Sequence, residues 1–200
     1  LKSVVERQKM KSNCKIKSYQ ITRWCQELLR IQVPENGFYI DATTGNGHDT
    51  LFLCELAKER GHVLGFDIQQ QALDHTRQVQ NHMEERAQLI CDSHVNMGKY
   101  AEEESADAIC FNFGYLPGGD HALATKANTS LEAIGVGLKL LKNGGVMSLC
   151  IYSGGDSGFE ERDAILSYLR KLDDQRYIVI VNEYYNRKNN PPIPAFIIKK

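Results

Sequence analysis

The sequence predicts an α/β fold, a doubly wound seven-stranded sheet with its last strand antiparallel. Three observations predict it. Five short apolar runs between residues 38 and 152 alternate with amphipathic stretches, as in a parallel sheet covered on both faces. The last two runs, YIVIVNEYY (177–185) and AFIIKK (195–200), are separated only by NRKNNPPIP. That is too short for a helical crossover, so they pair antiparallel. The stretch YIDATTGNGHDTLF (39–52) places a glycine pair where the first run meets a helix, which makes the fold Rossmann-like.

The elements follow in order. Residues 1–17 carry Lys2, Arg7, Lys9, Lys11, Lys15 and Lys17 against one acid, Glu6, and read as a basic tail preceding a single domain at 18–200. ITRWCQELLRI (21–31) has Ile21, Trp24, Cys25, Leu28 and Leu29 at helical spacing, ended by Pro34 and Gly37. This face either covers the sheet or joins a second copy, and a homodimer is the slight preference. Strands FYIDA (38–42), HVLGFDI (62–68), AQLICD (87–92), ADAICFNF (106–113) and GGVMSLCIY (144–152) come next. Helical stretches lie between them at 48–60, 69–84, 94–101 and 125–142, and one more at 157–172 precedes the final pair. Five parallel strands plus a terminal hairpin is the plan of the class I methyltransferase sheet, and a plain dinucleotide domain would keep alternating.

Bulk properties narrow the function classes. Two hundred residues, 42% of them hydrophobic, suffice for a proper core. A formal charge of −1 excludes a uniformly basic nucleic-acid binder but not a local basic patch. Six cysteines at 14, 25, 54, 91, 110 and 150 form no CxxC pair, so neither a disulfide framework nor a zinc site is expected. His62, His75, His82 and His121 have no ligand-like spacing, and no metal is expected. No apolar run approaches the roughly 18 residues of a membrane span, and a reducing cytoplasm is the expected location.

The glycine loop carries the first chemical signal. Gly45 and Gly47 allow positive φ and close approach of a ligand to the backbone. The third glycine of a dinucleotide fingerprint is missing, and Asp49 and Thr50 stand in its space. A carboxylate there repels a pyrophosphate and suits a ligand with a cationic centre, such as S-adenosylmethionine. Asp67, twenty residues after Gly47, ends the second strand where an acid can grip both ribose hydroxyls. In CDSH (91–94), Asp92 either accepts from the adenine amino group or, like Ser93, caps the next helix. Asp41 either touches the ligand or orients the loop.

The fourth strand runs into FNFGYLPGGDH (111–121). Asn112 at its carboxyl end can accept a hydrogen bond from an amine, and Phe113 or Tyr115 can stack on a base. Gly114, Pro117, Gly118 and Gly119 equally suit a turn. The proton of an amine nucleophile goes to water or to a carboxylate such as Asp120 or Asp49.

DATTGNGHDTLFL, GFDIQ, NFGYLPGGD, the TSLEAI helix start (129–134) and NRKNNPP together resemble one bacterial family, over about residues 18–200. This is the rRNA-methylase-like family of tRNA wobble 5-aminomethyl-2-thiouridine methyltransferases. The resemblance implies S-adenosylmethionine as cofactor and tRNA as partner. It also implies methylation of the aminomethyl nitrogen at the wobble uridine, with an rRNA target or a small-molecule amine as the alternatives. Cofactor contacts would fall on Asp41, Thr43, Gly45, Asn46, Gly47, His48, Asp49, Asp67, Ile68, Gln69, Asp92, Ser93, His94 and Asn112. Asn112 and Tyr115 would be catalytic. Substrate contacts would come from Phe113, Gly114, Tyr115, Leu116 and Pro117, and from Asn186, Arg187 and Asn190 in the hairpin loop. Two positions depart from the family pattern: Gly155 stands where a histidine is expected, and His121 where a lysine is usual.

Overall fold

The structure is a computed structural model that describes residues 19–79, 84–114, 126–153 and 158–200. Helix α1 (Ile21–Gln32) leads into β1 (Phe38–Asp41), α2 (His48–Ala57), β2 (His62–Asp67), α3 (Gln70–Val79) and β3 (Ala87–Cys91). A 3-10 segment (His94–Lys99) precedes β4 (Ala106–Phe113), followed by α4 (Ala127–Leu140), β5 (Leu141–Ile151) and α5 (Gly158–Arg170). Strands β6 (Tyr177–Val181) and β7 (Ile193–Lys199) close the chain. They form one seven-stranded sheet in the order β3-β2-β1-β4-β5-β7-β6. The first five strands pair in parallel, and β7 runs antiparallel to both its neighbours, β5 and β6. The expected fold class is therefore what the chain adopts.

Burial explains the layers. The central strands are apolar on both sides because both faces are covered. On one face Ile21, Cys25 and Leu29 of α1 and Phe52, Leu53 and Leu56 of α2 pack over Tyr39, Cys110 and Cys150. On the other, Ile134 and Leu138 of α4 and Ile165 and Leu169 of α5 pack over Ile109, Phe111 and Phe113. The apolar face of α1 is thus used in covering the sheet. Gly137 lets α4 sit close, since a Cβ there would stand 2.7 Å from Met147 Cε. No helix among the described residues is long and apolar enough to cross a membrane.

Two elements differ from the sequence reading. The stretch at 94–101 is a tight 3-10 segment, not an α-helix, started by the Ser93 hydroxyl accepting from Val95 N–H. The strand expected at 177–185 stops at Val181. Asn182 N–H still donates to Pro194 O, but Pro194 has no N–H to return and the ladder ends there. Residues 182–192 become a loop at the carboxyl ends of the parallel strands. The basic tail at 1–17 lies outside the described residues.

Candidate functional site

Sheet order reverses between β1 and β4, and ligands of doubly wound sheets bind beyond the carboxyl ends of strands at such a point. The loops leaving β1 and β4 meet here. Thr43 Oγ1 accepts the Asn112 N–H at 2.7 Å, and Ala42 N–H donates to Cys110 O. The tie fixes the β4 end against the glycine loop before any ligand arrives.

The loop itself is held by its acids. Gly47 caps α2 with φ 79°, and a Cβ there would meet Thr76 Oγ1 at 2.7 Å, so both conformation and space require glycine. Asp67 accepts from Gly45 N–H (2.9 Å) through one oxygen and from Gln69 N–H (2.8 Å) through the other. Each carboxylate oxygen keeps a second lone pair, so the same residue can shape the loop and still receive a ribose. Ile68, the next residue, is 53% exposed, a free apolar surface directly after Asp67. Asn46 is half-buried and His48 exposed beside it.

Asp41 is fully buried, accepting from Thr43 N–H (3.2 Å) and from the Thr50 hydroxyl (2.6 Å). Burial first, then the neighbouring Asp49 carboxylate, push its pKa up to about 7. An acid raised in the folded state adds stability that is complete below its ordinary 3.8 and is lost as pH rises to about 7. Thermal melts of the cofactor-free protein should therefore decline over that window. Asp41→Asn should flatten the decline relative to wild type, and parallel curves would remove Asp41 as its source.

Asp49 is buried at the start of α2, and both its oxygens are occupied. Oδ1 accepts from Gln26 Nε2 and Oδ2 from Asn112 Nδ2, each at 2.7 Å. A carboxylate only accepts, so the Asn112 amide nitrogen must face it and Asn112 Oδ1 must face away. That oxygen is buried and has no hydrogen-bond partner among the described residues.

The third strand ends as a capping device. Asp92 accepts from Ser93 N–H and Asn96 Nδ2 at 2.7 Å each, and from the Tyr100 hydroxyl at 2.9 Å. These bonds, that from Asn96 first, hold its pKa below the usual value. His94 lies edge-on to Phe111 with centroids 6.2 Å apart, and burial pulls its pKa down to about 4, leaving it neutral near pH 7. Its Nε2 is buried without a partner among the described residues.

Not every expected residue faces the crevice. Phe113 is fully buried and stacked on Phe111, with centroids 5.0 Å apart, so it has no free face for a base. The cause is strand alternation: Asn112 points to the α1–α2 side, and its neighbours point into the opposite core. Tyr115, Leu116 and Pro117, with Asp120, His121 and Gly155, lie outside the described residues. Gly114 packs against Tyr152, whose N–H donates to Phe113 O.

Two residues the sequence reading passed over join the site. Gln26 comes from the buried face of α1, and Tyr152 from the end of β5. Tyr152 helps line a cavity of about 320 Å³ with Gln20, Ile21, Thr22, Tyr184 and Arg187. The 182–192 loop is pinned over α1 by Trp24 Nε1 donating to Asn182 Oδ1 (3.1 Å) and by the Tyr184 hydroxyl donating to Tyr19 O. Arg187 stacks on the Tyr184 ring at 4.6 Å. Asn186 and Asn190 are exposed on the same loop.

The family described as “Putative rRNA methylase” matches residues 63–198. A chloroplastic tRNA (mnm(5)s(2)U34)-methyltransferase of Arabidopsis thaliana is 31% identical over 172 residues, covering 80% of this chain. The chain spans 62% of that relative's length. A crystal structure from Clostridium thermocellum, described as a “putative rRNA-methylase”, is 38% identical with a TM-score of 0.87, covering 92% of this chain and 100% of that one. A structure from Streptococcus mutans, described as “a putative methyltransferase” in complex with SAH, is 36% identical with a TM-score of 0.82, covering 92% of this chain and 99% of that one.

Proposed function

The chain belongs to the rRNA methylase family of S-adenosylmethionine-dependent methyltransferases, and from that premise we propose that it methylates the aminomethyl nitrogen of 5-aminomethyl-2-thiouridine at the tRNA wobble position. The observation that carries this reading is Asn112 Oδ1, a buried acceptor with no partner among the described residues at the carboxyl end of β4. An amine is the nucleophile that answers it, because an amine brings N–H donors along with the lone pair that attacks.

The residues around the crevice fit the cofactor. Asp67 offers ribose its outer lone pairs, Ile68 offers adenine an apolar face, and the glycine loop lets the ligand approach the backbone. Asp49 places negative charge where a cationic methionine moiety is favoured. Bound there, S-adenosylmethionine supplies a methyl group already activated on a sulfonium. The chain's own task is positioning and exclusion of water from the nucleophile. Asn112 Oδ1 accepts one N–H of the amine and so aims its lone pair. Each Asp49 oxygen accepts one amide donor and keeps a second lone pair, so the proton that the amine loses passes to Asp49 or to water.

The RNA part of the reading draws on the Arabidopsis relative's activity and on the cavity beside β5. Tyr152 and Tyr184 give it aromatic walls, and Arg187 gives it a cation suited to phosphate or to a stacked base. The test is transfer of labelled methyl to undermodified bulk tRNA, followed by digestion to nucleosides. Label in a thiouridine nucleoside is expected. Label only in rRNA, or only in small amines, would overturn the tRNA assignment.

A further inference from the structure

A buried polar side chain on an otherwise apolar helix face calls for a reason, and Gln26 is one. It lies on α1 between Cys25 and the Leu29 turn and is 4% exposed. It sits 23 residues before Asp49 in the chain and donates a hydrogen bond to that carboxylate. Its Oε1 accepts from Arg23 Nη1 at 3.1 Å, and its Nε2 donates to Asp49 Oδ1 at 2.7 Å. Asp49 Oδ2 then accepts from Asn112 Nδ2 at 2.7 Å. The guanidinium fixes which end of the Gln26 amide faces Asp49. Gln26 fixes the rotamer of the carboxylate, and the carboxylate decides which end of the Asn112 amide faces the crevice.

We propose that Gln26 is a positioning residue for methyl transfer, acting through Asp49 to keep Asn112 Oδ1 turned toward the amine. This rests on the reading of Asn112 Oδ1 as the amine's acceptor. Helix α1 is then part of the catalytic apparatus as well as a cover for the sheet. Without the Gln26 donor, the Asp49 carboxylate can rotate about its own side chain, and Asn112 follows it or flips. Either movement displaces the acceptor oxygen, and a displacement near 1 Å is enough to slow a positioned reaction by about a hundredfold.

The decisive substitution is Gln26→Met, which keeps length and packing and removes only the amide. It should lower kcat by about ten- to a hundredfold, with KM for the RNA and Kd for S-adenosylmethionine each within about twofold of wild type. The same substitution placed on Asn112→Ala should cost nothing further, because Gln26 acts only through that side chain. A second readout needs no turnover: the Asn112 side-chain NH₂ resonance of the cofactor-free protein, assigned by its loss in Asn112→Ala, should shift and exchange faster in Gln26→Met. Arg23→Met should produce a weaker version of both effects. If Gln26→Met keeps wild-type kcat, or slows both backgrounds equally, the positioning role is wrong while Asn112 stands. If Asn112→Ala itself keeps wild-type kcat, the reading of Asn112 is what fails, and an unmoved Asn112 resonance would separately overturn the role of Gln26.

Discussion

Asn112→Ala is expected to lower kcat for methyl transfer by about a hundred- to a thousandfold, the scale seen when one preorganised hydrogen-bonding group is removed from a reacting centre. The Kd for S-adenosylmethionine should stay within about twofold. The two quantities separate because of how Asn112 is held. Its main-chain N–H is anchored to Thr43 Oγ1, and an alanine keeps that bond, so the junction of the β1 and β4 loops survives. The substitution removes the Oδ1 acceptor and the Nδ2 donor to Asp49, while Asp49 keeps its bond from Gln26. Pre-steady-state transfer of labelled methyl alongside calorimetric cofactor binding would read both quantities. A kcat within a few-fold of wild type would take Asn112 out of the reaction. A large loss of cofactor affinity would move its role to binding.

Asp67→Ala is expected to have the opposite signature, raising the Kd for S-adenosylmethionine by about a hundredfold with kcat at saturation little changed. Among the described residues, Asp67 is the one acid whose two oxygens reach both the glycine loop, at Gly45 N–H, and the turn after β2, at Gln69 N–H. Hydrogen bonds to charged groups are worth about 1.5–3 kcal/mol each, and loss of the ribose grip alone approaches the ~2.7 kcal/mol that a hundredfold requires. Asp67→Asn keeps one acceptor oxygen and should fall between the two. Unchanged cofactor affinity in Asp67→Ala would show that the ribose is held elsewhere.

Most of the architecture was readable because it rests on local pattern. The alternation of apolar runs, the too-short link between the last two strands and the Gly45–Gly47 pair each express a rule that acts within a few residues. The spacing from Gly47 to Asp67 is longer but as regular, since one crossover helix and one strand fill it. The misreadings have equally physical causes. Adjacency pairs Phe113 with Asn112, but alternate residues of a strand face opposite sides and only one of the pair can enter the crevice. The apolar pattern of β6 runs past its true end because the proline that ends its ladder, Pro194, lies on the partner strand. The stretch at 94–101 has helical apolar spacing but is too short to hold an α-helix, and Asp92 and Ser93 close it as a 3-10 segment.

Gln26 was the hardest to see. No motif surrounds it, and its partner Asp49 is brought to it by the packing of α1 and α2 over the same sheet face. One signal was available: Gln26 falls on the buried stripe with Ile21, Cys25 and Leu29, and a polar residue on such a stripe is more informative than the apolar ones beside it. Tyr152 carried a weaker signal. It reads as the last residue of an apolar strand, and only the fold of the 182–192 loop makes it a wall of the cavity. Long-range side-chain meetings of this kind depend on the finished tertiary structure and leave little trace in local sequence.

The most direct test uses two anticodon stem-loops of identical sequence, one carrying 5-aminomethyl-2-thiouridine at the wobble position and the other 2-thiouridine without the aminomethyl group. Each is incubated with the protein and S-adenosylmethionine and followed by mass spectrometry of the released nucleosides. Methylation of an amine poised at Asn112 Oδ1 gives one added methyl group on the aminomethyl nucleoside and none on the other. Equal methylation of both RNAs, or of neither while a free amine is methylated, would contradict it.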